Sequence, residues 1–344
     1  MQPLTTATTQ DAPPVRYRYT LLRAGKFALD GGSMFGLIPR VVWSRQCQVD
    51  DRGRIAVQHN CLLLERLDEP PAGSNLPAPK LVLIETGTGD KLDAKSRDIF
   101  ALEDRSISTA LHEVHCDPAN IASVICSHLH FDHAGGLTRL AKPGETPDWT
   151  GPASSFGSSV PDRPVKRTFP NAQLITQLRE WRDAMANRSV MTRTYFQDHL
   201  VPMAEHVRFV ESPPPFAPGL IPDRTQLPSL PPIIRETEVL PGIFVFLVPG
   251  HTWGQQAIKF FDHTGQPTVF TPDVLPTSKH VGQAYSLAYD VEPYTSSVSR
   301  HWFLQSAVDE GWKLVLDHEP GHPIFTVKPG TTPQSKGWFE LEPA

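Results

Sequence analysis

The segment from Ser127 to Gly136 constrains this chain more than any other part of its sequence. It reads Ser-His-Leu-His-Phe-Asp-His-Ala-Gly-Gly, so three imidazoles and one carboxylate lie within six consecutive positions, 128–133. A single histidine is often a satisfied core residue, but four residues of metal-binding type at this spacing indicate a metal site. The two glycines at the end are expected to let the backbone turn tightly. The sequence therefore predicts a chain that folds around bound metal.

These four side chains are too crowded to bind one ion comfortably. His128 and His130 are two positions apart at a predicted strand end, so their side chains point to the same side. Asp132 and His133 follow after a bend in the chain. We therefore expect two divalent ions, one held by the first pair and one by the second pair, each completed by residues from elsewhere.

Three later strands each end near a residue of metal-binding type. The residues are His251, Asp273 and His318, after predicted strands at 243–248, 268–270 and 313–316. We expect His251 to complete the first site, His318 to complete the second, and Asp273 to bridge the two ions. Competing interpretations are a structural turn at His251, a capping carboxylate at Asp273, and His322 in place of His318 as the last ligand.

This ligand set predicts hydrolytic chemistry. Imidazole and carboxylate ligands suit zinc best, although manganese, iron or cobalt would accept them too. Two ions that share a water lower its pKa towards neutrality, so a metal-bridging hydroxide is the expected nucleophile. Asp132 and Asp273 are the predicted catalytic carboxylates, because they can orient this hydroxide and pass a proton to the leaving group.

Two further residues are candidates near the site. His280 lies seven residues after Asp273 and is predicted to reach the substrate or donate a proton, the alternative being a free surface histidine. Glu85 ends a predicted strand and is expected to hold a ligand imidazole, the alternative being a surface carboxylate. A serine or cysteine nucleophile is not expected, because the chain lacks a Gly-x-Ser-x-Gly motif.

The composition excludes several classes of protein. With 344 residues, 39% hydrophobic and 20% charged, the chain is long enough for a large globular domain. A formal charge of -5 and a pI near 6.3 provide no basic field, so neither nucleic acid nor an anionic membrane is an expected partner. Apolar runs are too short to span a bilayer, and no secretory signal is recognised. Four cysteines without Cys-x-x-Cys spacing are typical of a reducing compartment, which favours a cytoplasmic location.

One domain is predicted at 16–330, flanked by a flexible N-terminal tail at 1–15 and a C-terminal tail at 331–344. Within it, Pro- and Gly-rich insertions are expected at about 143–167 and 211–232, because neither segment has helical or strand periodicity. These insertions are expected to shape the mouth of the site or to serve as a dimer arm, so a homodimer is a further prediction.

The motifs resemble those of the metallo-β-lactamase superfamily. The segment 127–136 matches its HxHxDH signature, and Pro249-Gly250-His251-Thr252 matches its next motif. This resemblance implies an α+β fold, the αββα sandwich, in which two mixed β-sheets lie face to face with helices on the outer faces. It implies that the metals lie at one edge of the sandwich.

Within the superfamily, three segments look like the branch that contains N-acyl homoserine lactonases and methyl parathion hydrolase. They are Leu83–Lys91, Phe169–Ala172 and Asp273–Thr277. Two positions depart from the family pattern, since Glu85 stands where an aspartate is usual and Glu319 follows His318 where an aspartate is usual. Both changes lengthen side chains behind the predicted ligands, which could alter metal affinity or substrate choice.

The expected function is a dinuclear metal-dependent hydrolase of a small ester-like molecule: a lactone, a carboxylic ester or a phosphotriester. Two alternatives remain at this point. One is a non-catalytic protein of the same fold in which metal stabilises a binding or dimerisation surface, and the other is a thioesterase of the glyoxalase II type.

Overall fold

The computed structural model describes residues 14–152, 161–191, 193–216, 236–282, 284–332 and 335–344. The strands are β1 (Arg16–Asp30), β2 (Arg54–Arg66), β3 (Leu81–Ile84), β4 (Ser123–Ile125), β5 (Thr138–Leu140), β6 (Trp149–Pro152), β7 (Asp162–Arg167), β8 (Gln173–Gln177), β9 (Val207–Val210), β10 (Thr237–Leu240), β11 (Ile243–Leu247), β12 (Gln256–Asp262), β13 (Pro267–Thr271), β14 (Lys313–Leu316), β15 (Ile324–Pro329) and β16 (Phe339–Pro343). The α-helices are α1 (Gly31–Phe35), α2 (Arg40–Trp43), α3 (Ala94–Ile99), α4 (Ile107–Glu113), α5 (Phe131–Ala134), α6 (Leu178–Met185), α7 (Gln197–Leu200) and α8 (Pro293–Glu310).

Two mixed sheets make up most of the structure. The first has the order β1-β2-β3-β4-β8-β9, antiparallel at its start and parallel from β3 onwards. The second contains β10 to β16 and is antiparallel apart from the parallel pair β13–β14. In the described part of the chain, two residue pairs, Arg16↔Phe261 and Tyr17↔Asp262, join β1 to β12 and hence one sheet to the other.

The side-chain alternation along the strands explains the layered packing. On β2, Leu62 and Leu64 point into a core between the sheets, whereas Cys61 and Leu63 point to the outer face. On β11, Val245 likewise points inwards while Phe246 points outwards. Because both faces of each sheet are apolar, each must be covered on both sides.

Helices cover the two outer faces. α4 packs on the first sheet, and α8 covers the second sheet with Trp302 and Phe303. α8 ends at Gly311, which has the left-handed backbone conformation that glycine commonly adopts after the last turn of a helix. The order of layers is therefore helix, sheet, sheet, helix, and the predicted αββα sandwich of mixed sheets is confirmed. Among the described residues, no helix combines the length and apolarity that crossing a bilayer requires.

The described part of the insertion predicted at 143–167 is not irregular. β6 and β7 pair antiparallel, and β7 also pairs with β5, so the three form a separate small sheet. Proline and glycine hide the strand pattern here: Pro164 lies inside β7, opposite Thr150 of β6. These segments become strands because they pair with their neighbours, and such pairing cannot be recognised from a short stretch of sequence. Residues 153–160 of this segment lie outside the described residues.

The prediction of a C-terminal tail at 331–344 is wrong for the last part of that segment. Residues 339–343 form β16, which pairs with β15 along its whole length, and Phe339 is buried in the core beneath α8. The alternation of Phe339 and Leu341 with two glutamates is too short to be distinctive in sequence. The tail predicted at 1–15 and the insertion predicted at 211–232 lie largely outside the described residues, at 1–13 and 217–232.

Strand direction brings the predicted site residues to one edge. β13 and β14 run parallel, so the segments after Thr271 and Leu316 lie side by side. β3 and β4 also run parallel, which places Glu85 beside the segment that begins at Ser127. Gln256 N donates to Ser127 O, at 2.9 Å, and so links the start of β12 in the second sheet to the end of β4 in the first.

Candidate metal centre

Three buried imidazoles form the first cluster. His128, His130 and His251 offer ligand atoms that all lie within 4.8 Å of one another. His251 Nε2 is 3.1 Å from His130 Nδ1. Two nitrogens bound to one tetrahedral zinc at 2.0–2.1 Å would be about 3.3 Å apart, so this spacing fits shared coordination. The structure thus brings together the three residues predicted to hold the first ion.

A second cluster adjoins the first. It contains His133, Asp273, Asp317 and His318, again with ligand atoms within 4.8 Å. His133 Nε2 and His318 Nε2 are 3.3 Å apart. Asp132, a predicted ligand, borders this cluster, with its carboxylate oxygens 3.9 Å from His133 Nε2 and 3.7 Å from His318 Nε2. Asp317 was not predicted as a site residue, and the structure adds it.

Asp273 belongs to the second cluster and also faces the first. Its Oδ2 is 3.1 Å from His251 Nε2, and its Oδ1 is 3.3 Å from His318 Nε2. The two oxygens of one carboxylate therefore face different clusters. His318 is buried within this arrangement, whereas the alternative His322 is exposed and its Nε2 lies 2.9 Å from the Ala344 carbonyl oxygen.

The second ring nitrogen of these imidazoles is engaged by the protein. His251 Nδ1 donates to Asp290 Oδ1 at 2.9 Å, and His318 Nδ1 donates to the Gln58 carbonyl oxygen at 3.0 Å. Each bond fixes the tautomer that leaves Nε2 with a free lone pair pointing into the site. Carboxylate–imidazole and carbonyl–imidazole pairs of this kind accompany metal-binding histidines.

His133 and His128 follow the same pattern, whereas His130 Nε2 is buried without a hydrogen-bond partner among the described residues. His133 Nδ1 lies 3.4 Å from Glu85 Oε2, as expected for Glu85 from the sequence. Ser127 Oγ lies 3.1 Å from His128 Nδ1, and among the described residues His128 Nε2 is buried without a hydrogen-bond partner. A buried nitrogen with no acceptor or donor costs free energy unless an external group binds it. The donor set therefore fits a metal ion.

The charges at the site also fit bound cations. Within the described residues, the ion pairs of Asp132, Asp273 and Asp317 are with histidines, not with lysine or arginine. Burial of Asp317, together with the neighbouring Asp273 and Glu85 carboxylates, raises its pKa well above the usual range. Buried carboxylates in such a group are stabilised when they coordinate a metal ion.

The pKa values of the histidines differ according to the charges that lie beside each ring. Burial, with the neighbouring imidazoles, lowers the pKa of His128 and of His130 well below its ordinary value, so both rings are neutral and able to bind metal. Burial also acts to lower the pKa of His133, but the Glu85 and Asp132 carboxylates outweigh it and raise that pKa to about 9. In the first cluster, burial likewise acts to lower the pKa of His251, but the Asp273 and Asp290 carboxylates outweigh it and raise that pKa.

Gly135 and Gly136 are required by close packing and not by an unusual backbone turn. Gly135 has φ -61° and ψ -37°, which any residue adopts. A Cβ at Gly135 would lie 2.1 Å from the Thr88 carbonyl oxygen, and one at Gly136 would lie 2.2 Å from the Thr86 carbonyl oxygen. The loop after Glu85 thus packs directly on the end of the 127–136 segment, which positions both.

The catalytic role predicted for His280 is not supported, and neither is a free surface position. His280 is buried, its Nε2 donates to the Met34 carbonyl oxygen at 3.0 Å, and its Nδ1 lies 2.7 Å from Thr277 Oγ1. The ring stacks on Phe35 at a centroid distance of 4.6 Å. With both nitrogens bonded, His280 joins α1 to the loop after Asp273 instead of donating a proton to substrate.

This position predicts a pH effect on stability. Burial and the nearby Arg300 guanidinium lower the pKa of His280 to about 3, against about 6.5 in an unfolded chain. The stability contributed by the neutral ring is fully present above pH 6.5 and is lost as the pH falls towards 3, because only the unfolded chain gains the proton in that range. The substitution His280→Gln should therefore lower the free energy of unfolding at neutral pH, and this difference from the parent should become smaller as the pH falls. It should decrease by at most about 1.4 kcal/mol per pH unit.

Urea unfolding of the parent and of His280→Gln at pH 7, 6, 5 and 4 measures this difference. Metal-binding groups titrate in both proteins, so their effect cancels in the comparison. A difference between parent and variant that stays constant with pH would contradict the buried neutral state of His280.

Three acidic residues at or beside the site were not predicted from the sequence. Asp317 directly precedes a predicted ligand at a strand end, so its position was a usable signal. Asp290 lies in an irregular segment before α8, and Glu180 lies in the first turn of α6; neither belongs to a motif. Only the tertiary contacts of these two side chains reveal their connection to the site.

Comparison with known proteins supports this description. The model of the metallo-beta-lactamase superfamily matches residues 78–318. No curated protein matches the chain significantly. A probable metal-dependent hydrolase from Staphylococcus aureus superposes with a TM-score of 0.67 at 21% identity, covering 96% of this chain and 99% of that chain.

Two lactonases are also similar in structure. A quorum-quenching N-acyl homoserine lactone lactonase gives a TM-score of 0.58 at 18% identity, covering 89% of this chain and 93% of its own. AidC, a dizinc quorum-quenching lactonase in complex with a product, gives 0.61 at 15% identity, with 97% and 99% covered. At such identities these likenesses show the fold alone. The family model spans well over half of the chain, and the protein therefore belongs to the metallo-β-lactamase superfamily.

Proposed function

We propose that the protein is a dinuclear metal-dependent hydrolase that acts on a small ester-like substrate. The observation that carries this proposal is the position of Asp273, whose two carboxylate oxygens face His251 and His318 in different clusters, at 3.1 and 3.3 Å. A carboxylate in this position would be able to hold metal in both clusters.

The metal-binding roles follow the clusters. We assign His128, His130 and His251 to one ion and Asp132, His133 and His318 to the other, with Asp273 shared by both. Zinc is the expected metal, since imidazole nitrogens and carboxylate oxygens are its common ligands, and manganese, iron or cobalt would also fit. Bound divalent ions supply two effects, a lower pKa for water and polarisation of the substrate's carbonyl or phosphoryl oxygen.

The protein's own groups orient the reaction. The Asp132 and Asp273 carboxylates accept hydrogen bonds from the attacking water and so direct its lone pair towards the substrate. After attack, either carboxylate can carry the proton to the leaving oxygen. Asp290 keeps the His251 ring from rotating, and Gln58 does the same for His318.

Aromatic groups beside the clusters favour a partly apolar substrate. The Tyr289 ring lies edge-on to the His251 ring at a centroid distance of 5.8 Å and is only half-buried. Trp253, two residues after His251, is 37% exposed. Lactones, carboxylic esters and phosphotriesters share an uncharged electrophilic centre with an oxygen leaving group, and the lactonase relatives at low identity make a lactone the first candidate. A cytoplasmic location and a homodimer remain predictions.

The test combines metal analysis with a substrate panel. Purified protein loaded with Zn²⁺ should contain two ions per chain and should hydrolyse at least one of an acyl homoserine lactone, an aryl ester and a phosphotriester. A thioester and a β-lactam complete the panel. Tight metal binding without hydrolysis of any of them would favour the non-catalytic alternative, and preference for the thioester would favour the glyoxalase II type.

A further inference from the structure

One buried carboxylate outside both clusters joins the loops that carry the three histidines of the first cluster. Glu180 lies in the first turn of α6 and its side chain is fully buried. Burial raises the pKa of Glu180, so hydrogen bonds must offset the cost of burying the carboxylate. Glu180 accepts three: from Leu129 N at 3.0 Å, from Tyr195 Oη at 3.2 Å and from Thr252 Oγ1 at 2.6 Å.

The donors sit next to the predicted ligands. Leu129 lies between His128 and His130, and its backbone amide bonds to Glu180 Oε1. Thr252 directly follows His251, and its hydroxyl bonds to Glu180 Oε2. One oxygen therefore serves the loop from the first sheet, and the other serves the loop from the second sheet.

Packing strengthens this connection. A Cβ at Gly254 would lie 2.3 Å from Glu180 N, so the loop after His251 rests directly on the start of α6. The Tyr195 ring, held by its bond to Glu180, lies 5.1 Å from the His130 ring. Each histidine of the first cluster is therefore connected to Glu180: all three are sequence neighbours of Leu129 or Thr252, and His130 also lies beside the Tyr195 ring.

The connection matters because the two loops follow strands of different sheets. Packed sheets lie about 10 Å apart, and a backbone bond from Gln256 to Ser127 joins the loops only at their bases. Metal coordination needs the histidine nitrogens in place to within a few tenths of an ångström. Glu180 supplies a second link at the ligand-bearing ends, where the strand ladders no longer hold the backbone.

We propose that Glu180 is a positioning residue that holds His128, His130 and His251 at metal-binding distance, and thereby sets the affinity of the first cluster and not that of the second. This inference rests on the proposed function. The second cluster is held by other groups, such as Glu85 on His133 and the Gln58 carbonyl on His318.

The experiment measures Zn²⁺ affinity at each cluster separately. His318→Ala disables the second cluster and His128→Ala disables the first, so each background reports on the other site in competition with a chromophoric chelator. Adding Glu180→Leu, which has a similar volume and no acceptor, should weaken Zn²⁺ binding about 10- to 100-fold in the His318→Ala background. In the His128→Ala background it should change binding less than about 3-fold.

A conservative variant separates positioning from a general structural role. Glu180→Gln retains one oxygen for Leu129, and the Thr252 hydroxyl can reverse to accept from the new amide. It should therefore recover most of the affinity lost in Glu180→Leu. Asp262→Asn is the matched control, because Asp262 is also a buried carboxylate that accepts several bonds, but it lies at the far end of β12 from the clusters. It should lower stability without changing metal affinity at either site.

Equal weakening at both sites, or none at the first, would overturn the inference. If Glu180→Leu does not fold, Thr252→Val decides the question, because it removes one of the three bonds and should weaken only the first site. A parent protein with one ion would overturn the dinuclear function. The inference about Glu180 would then stand if that ion were lost in His128→Ala and bound about 10- to 100-fold more weakly in Glu180→Leu. An ion held by the second cluster alone would overturn the inference as well. A parent with no ion would overturn both proposals.

Discussion

Replacing Asp273 with asparagine is expected to lower kcat/KM for the best substrate by about 10³-fold, a loss of about 4 kcal/mol of transition-state stabilisation. The substitution keeps the shape of the side chain but removes the negative charge between His251 and His318. The amide can no longer bridge two cations with equivalent oxygens, and it presents a donor where the attacking water needs an acceptor. Steady-state kinetics with metal analysis of the same samples measures the effect.

The matched control is again Asp262→Asn, an equally buried aspartate outside the site. It should reduce stability and leave kcat/KM within about twofold of the parent at a temperature where both are folded. If Asp273→Asn retained parental kcat/KM, or lost activity only in proportion to unfolding, the bridging role would be wrong.

Removal of metal is the second large effect. A chelator should abolish hydrolysis and lower the free energy of unfolding, by about 4 kcal/mol for each ion when the free metal concentration is about a thousandfold above its Kd. One reason is that the site joins loops from both sheets. The other is that it contains buried carboxylates, and in the described part of the chain their ion pairs are with histidines. Urea unfolding with and without chelator, followed by readdition of Zn²⁺, measures the difference.

The double variant His128→Ala/His318→Ala serves as the control for chelation. It should show little change in unfolding with chelator, because both clusters are disabled. An equal effect of the chelator on this variant and on the parent would place the stabilising metal elsewhere in the protein.

Much of the fold was predictable because its signals are local. Strands such as Ile243–Leu247 and Lys313–Leu316 are short runs of branched apolar residues, and each delivers a metal-type residue at its end. The helix that ends at Gly311 has a strong stop signal. By contrast, β7 contains a proline and β16 contains two glutamates and a proline among its five residues, so only pairing with neighbouring strands defines them.

The electrostatic environment was not predictable in the same way. Asp290 lies 39 residues after His251, and Glu180 lies 51 residues after Leu129, in segments without a motif. His280 has a favourable sequence position for catalysis, yet its neighbours Met34 and Thr277 occupy both ring nitrogens. These contacts connect distant parts of the chain, so no local pattern encodes them.

The sequence alone determined which side chains gather at the site: those of the segment from Ser127 to Gly136, and His251, Asp273 and His318 after three strands. It could do so because the spacing of ligands along a short segment and the alternation of side chains along a strand are local properties. Tertiary structure alone decided how they are held. Asp273 faces both clusters only because the two sheets meet at one edge, Asp317 and Asp290 join the site through packing, and Glu180 joins the loops of both sheets. The chemical identity of a metal centre is therefore readable from residue types, whereas its geometry depends on contacts between segments far apart in the chain.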